Sequence, residues 1–71
     1  MNIAVSIYTH DGDAATLVIN QTPNSNNYSW TITGDDKDVY FEDEGTIFNY
    51  EGGYLGLVGK VLDGRAMYRK D

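Results

Sequence analysis

The chain has 71 residues, no cysteine, and a net charge of −6 from eleven acids and five bases. That length holds a single domain, 1–71, with one modest hydrophobic core, and the missing cysteine excludes disulfides, thiolate metal sites and a cysteine nucleophile. The acidic balance argues against direct binding to nucleic acid or to an anionic membrane.

From the N-terminus, Met1-Asn2-Ile3-Ala4-Val5 lacks the basic and apolar segments of a signal peptide, and no run approaches the length of a membrane span. The expectation is a soluble cytoplasmic protein. Large aliphatics take the odd positions of Ile3-Ala4-Val5-Ser6-Ile7, and large residues take the even positions of Tyr28-Ser29-Trp30-Thr31-Ile32. This two-fold alternation is the signature of half-buried strands.

Seven short strands are predicted, over 2–9, 15–20, 28–33, 38–42, 46–50, 54–62 and 65–69. Asp11-Gly12 and Asp63-Gly64 each lie between apolar runs, a strong hairpin signal because both central residues of a type I′ turn need positive φ. A two-residue loop at Asp63-Gly64 pairs Val61 with Ala66 and Gly59 with Tyr68. At the first hairpin a three-residue loop sets Ile7 opposite Leu17 and Val5 opposite Ile19, with a bulge near Asp13.

Further turns are read at Gly34 to Asp38, Asp43-Glu44-Gly45 and Glu51-Gly52-Gly53, with an irregular piece from Gln21 to Asn27. Gly56 and Gly59 read as a bent, closely packed strand. The fold class is therefore all-β: a small antiparallel meander of about six to seven short strands, curled into a compact barrel or two-layer sandwich. Trp30 is expected in the core beside Ile32 and Phe41.

Charge is unevenly placed along this meander. Asp35 to Glu51 carries seven acids and one lysine, whereas Lys60 to Asp71 carries four bases and two acids. If Asp36 to Glu44 is extended, Val39 and Phe41 face the core while Asp36, Asp38, Tyr40, Glu42 and Glu44 share the opposite face. Neighbouring carboxylates then stand ~7 Å apart. Like charges that close repel, so the stripe costs stability. Such a stripe suits a basic groove on a partner, taking the place of nucleic-acid phosphates, with Tyr40 as an aromatic anchor. The bland reading of the same acids is a solvated edge that resists aggregation.

Catalytic constellations are scarce. His10 is the sole histidine, only three serines are present, and no phosphate-cradling glycine loop or HExxH segment occurs. No enzyme activity, cofactor or metal is expected. The functional expectation is a small acidic binding protein, an inhibitor or adaptor of the class that phages use against host defence or in host takeover, aimed at a basic, nucleic-acid-binding protein. Two other readings are a structural module that self-associates or joins a larger complex, and a carbohydrate- or small-ligand-binding module using surface Tyr and Trp.

Overall fold

In the computed structural model, residues 2–36 and 42–70 are described. The alternation seen in the sequence builds four antiparallel strands, β1 (Asn2–Tyr8), β2 (Ala14–Gln21), β3 (Tyr28–Gly34) and β4 (Glu42–Ile47). A helix, α1 (Tyr54–Leu62), and a two-residue strand, β5 (Tyr68–Arg69), complete the chain. The sheet order is β4-β3-β2-β1-β5, an open five-stranded meander whose last strand returns beside the first.

The β1–β2 hairpin closes with one residue more than Asp11-Gly12 alone. Gly12 N–H donates to Thr9 O at 2.9 Å, and Thr9 N–H donates to Asp13 O at 2.9 Å, leaving His10, Asp11 and Gly12 in the loop. Gly12 sits at φ +87°, the position such a three-residue loop reserves for glycine. Asp13 N–H also donates to Thr9 Oγ1 at 3.1 Å, which satisfies the buried threonine. The register sets Ile7 opposite Ala15, Val5 opposite Leu17 and Ile3 opposite Ile19. The expected pairing of Ile7 with Leu17 is therefore corrected by a slide of two residues. A two-residue slide keeps every side chain on its face, which is why the aliphatic pattern alone did not distinguish the registers.

The irregular piece after β2 is present as expected, tied by Thr22 N–H to Asn27 O at 2.9 Å and by Gln21 Nε2 to Ser25 O at 2.8 Å. This loop is clasped to the one preceding α1. Tyr50 N–H donates to Asn26 O at 3.0 Å, Asn49 N–H donates to Asn27 Oδ1 at 3.0 Å, and the Tyr28 and Tyr50 rings meet edge-on at 6.3 Å.

Two strand expectations are corrected in the second half. Residues 43–45, read as a turn, lie inside β4, and the expected strands over 38–42 and 46–50 are replaced by the single strand 42–47 where the residues are described. Residues 54–62, read as a strand, form α1. The buried residues Leu57, Val58, Val61 and Leu62 fall at helical spacing, while Leu55, Gly56, Gly59 and Lys60 are exposed. Glycines cost about 1 kcal/mol each relative to alanine in a helix, so burial of the apolar stripe, not propensity, decides the element. Gly59 faces open space, with nothing within 4 Å of an added Cβ. Gly59→Ala is expected to raise stability by about 0.5–1 kcal/mol in chemical denaturation. A loss of stability would contradict the helix.

The Asp63-Gly64 hairpin is likewise replaced. Asp63 has φ −62° and ψ 134°, Gly64 has φ +78°, and Arg65 N–H donates to Leu62 O at 3.1 Å. These are the angles of a type II turn, which needs positive φ only at its second central residue. The turn ends a helix instead of joining two strands, so the Val61–Ala66 and Gly59–Tyr68 pairings do not form. Of the strand expected over 65–69, only Tyr68 and Arg69 pair, opposite Tyr8 and Ile7.

α1 packs on one face of the sheet. Ile7, Ala15, Leu17, Ile19, Trp30 and Ile32 from the strands and Leu57, Val58, Val61 and Leu62 from the helix make the core. Among the described residues nothing covers the other face, where Ala4, Ser6, Val18, Asn20 and Ser29 are exposed. The architecture is thus a mostly β, two-layer arrangement of open sheet and helix, not a closed barrel or a sandwich of sheets. Among the described residues no helix is long and apolar enough to cross a membrane.

Candidate acidic edge

β4 borders the sheet and carries Glu42, Asp43 and Glu44 in succession. Its register with β3 divides them. Asp43 lies opposite Ile32 and shares the helix side, while Glu42 and Glu44 lie opposite Thr33 and Thr31 and point to the open side. All three are exposed. Glu42 and Glu44 therefore stand side by side, ~7 Å apart on one face.

Asp43 is tied into the fold. Its Oδ1 accepts the Glu44 N–H at 2.9 Å, and its Oδ2 accepts Arg65 Nε at 3.3 Å. Arg65 lies over the Trp30 ring at 4.4 Å and donates through Nη1 to Val61 O at 2.5 Å. One guanidinium thus joins the end of α1, the core tryptophan and the edge strand. Both members of the ion pair are partly exposed, with side chains 34% and 50% accessible, so the charge pair itself contributes little and the stacking on Trp30 carries more of the contact.

Gly45 sits opposite Trp30, and a Cβ there would lie 2.6 Å from Cζ2 of the indole. The tryptophan ring occupies the space a side chain would fill, which brings β4 close over the core.

Asp36 follows β3 and is exposed. Asp38 and Tyr40 lie outside the described residues, as does Phe41. Asp35, next to Asp36, has a fixed role: its N–H donates to Ala14 O at 3.0 Å and its Oδ1 accepts Thr16 Oγ1 at 2.9 Å. The structure therefore brings Glu42 and Glu44 together as the alternation indicates, and separates Asp35 and Asp43, which hold the fold. The basic stretch Lys60 to Asp71 is the counter-charge the sequence offers to the acidic face, and its Arg65 supplies it through the ion pair with Asp43. Gly45, expected in a turn, takes its place from the β3–β4 register that sets it opposite Trp30.

Among the described residues no group of three or more His, Asp or Glu is placed to hold a metal ion. His10 is exposed at the first turn, 3.3 Å from Asp11. Trp30 is 5% exposed, and of the described tyrosines only Tyr68 is widely exposed. Comparison with protein-family models, curated proteins and solved structures gave no match.

Proposed function

We propose that this chain is a non-enzymatic, cytoplasmic binding protein that sets its acidic edge into a basic, nucleic-acid-binding site of a partner protein, an inhibitor or adaptor of the phage anti-defence or host-takeover class. The observation that carries this reading is the pair Glu42 and Glu44, exposed side by side on an edge strand. Two carboxylates on one exposed strand face complement a cationic surface. Asp36 extends the negative field from the end of β3, and Asp38 and Tyr40 lie between in sequence. The cysteine-free composition fits a reducing compartment. The sugar-binding alternative is weakened by Trp30, whose burial leaves no indole platform.

The test is a pull-down from the source cell with the chain as bait, followed by affinity measurement on the captured protein. The quadruple variant Asp36→Asn, Asp38→Asn, Glu42→Gln, Glu44→Gln is expected to bind at least about tenfold more weakly, mainly through slower association, and DNA is expected to compete with the native chain. Equal affinity for the native chain and the variant, or binding indifferent to salt, sinks the reading.

A further inference from the structure

The opposite border of the sheet has the reverse character. β1 runs from Asn2 to Tyr8, but among the described residues β5 pairs only with Ile7 and Tyr8, and beyond them Lys70 N–H donates to Ser6 O at 2.9 Å. Among the described residues the outer edge of Asn2-Ile3-Ala4-Val5 has no neighbouring strand. Extended backbone with no neighbour presents unpaired N–H and C=O groups, and natural proteins guard such edges with charge, proline or a bulge. β4 is guarded in this way by three consecutive acids. Asn2 to Val5 has no charge, no proline and no glycine, and its Ile3 and Val5 are only half-buried on the helix side.

We infer that β1 pairs antiparallel with β1 of a second copy, joining two sheets into one across a two-fold axis. The distribution of charge selects this occupant. β1, β2 and β3 contain no charged residue, so two copies meeting through β1 bring no acids together. The acidic β4 strands are then seven strand spacings apart, ~34 Å, well beyond a Debye length of ~8 Å. Pairing through β4 would instead stack carboxylates at a single spacing. A strongly basic or acidic partner gains nothing from an uncharged edge, whereas an identical strand matches it in backbone, polarity and length.

Pairing centred on Ile3 sets that residue opposite its twin and Ala4 opposite the second copy's Asn2. It keeps both helices on the same side of the joined sheet, covers the half-buried apolar side chains, and stops short of Ser6, whose carbonyl is already used. The contact is isologous, so it closes as a dimer and does not propagate.

Light scattering coupled to gel filtration tests it. The native chain is expected to move from 7.9 kDa toward twice that mass as loading rises from micromolar to millimolar, and to do so also in about 1 M salt. Ala4 and Asn2 are exposed, so substitutions there leave the core intact. Ala4→Lys is expected to hold the protein at 7.9 kDa, and mixing it with Asn2→Glu is expected to restore the doubled mass by placing opposite charges across the new strand pair. The quadruple acidic-edge variant should still dimerise, which separates this surface from the one proposed above. A native chain that stays monomeric at millimolar loading, an Ala4→Lys variant that still doubles, or a mixture that fails to recover the dimer overturns the inference.

Discussion

Replacing Trp30 with alanine is expected to remove about 3–5 kcal/mol of stability, read as a collapse of the urea midpoint followed by far-UV circular dichroism. A chain of 71 residues has about 4–10 kcal/mol in total at ~0.05–0.15 kcal/mol per residue, so the variant should be largely unfolded without a stabilising osmolyte. The size of the loss follows from how many parts meet at this ring. The indole is 5% exposed within the core, lies against the backbone of Gly45, and carries the Arg65 guanidinium on its face. Truncation leaves a cavity under β4, removes the stacking surface of Arg65 and so loosens its hold on Asp43. Trp30→Phe keeps an aromatic ring in the site and should lose appreciably less. If the alanine variant unfolds within about 1 kcal/mol of the native chain, Trp30 does not anchor the edge.

Leu57→Ala is expected to cost about 2–5 kcal/mol. Leu57 is 1% exposed at the centre of the helix stripe, and α1 has nine residues, too few to persist in water without its packing. Two of those nine are glycine inside the helix, so the element depends on Leu57, Val58, Val61 and Leu62. Loss of this fully buried side chain should release α1 from the sheet, exposing core residues of the strands and raising binding of a hydrophobic dye. Thermal unfolding of Leu57→Ala beside exposed Leu55→Ala checks this. Equal midpoints for the two would contradict the assigned helix face.

The first half of the fold was legible because its signals are short-range. Alternation in β1 and β3 and the Asp11-Gly12 turn require no knowledge of the rest of the molecule, and the strands appear where those patterns lie. The second half was not, for two physical reasons. Gly56 and Gly59 interrupt an apolar stripe only nine residues long, so the helical period is masked by residues that disfavour helix, and tertiary burial overrides them. Asp-Gly also has more than one turn available. At residues 63–64 it takes type II geometry because its preceding residue ends a helix, which no local pattern reveals. For the acidic edge, parity sets Glu42 beside Glu44 on the face away from the core and Asp43 on the other, and the register with β3 has them so. The contacts of Arg65 with Asp43 and Trp30 depend on where the end of α1 lies, which parity does not carry.

The return of β5 to β1 also bears on how the chain assembles. Among the described residues every other pair in the sheet joins neighbours in sequence, so the β1–β2, β2–β3 and β3–β4 ladders close over shorter stretches of chain. The β1–β5 contact alone spans most of the chain, for two residues of pairing. Its closure entropy is large relative to the bonds it gains, so this corner is expected to form last and open first, with the backbone amide of Lys70, which donates to Ser6 O, exchanging hydrogen before those of β2. Each such opening lengthens the bare border of β1 from Val5 to Tyr8, so the chain's own C-terminal strand competes for the same backbone groups that a second copy would take.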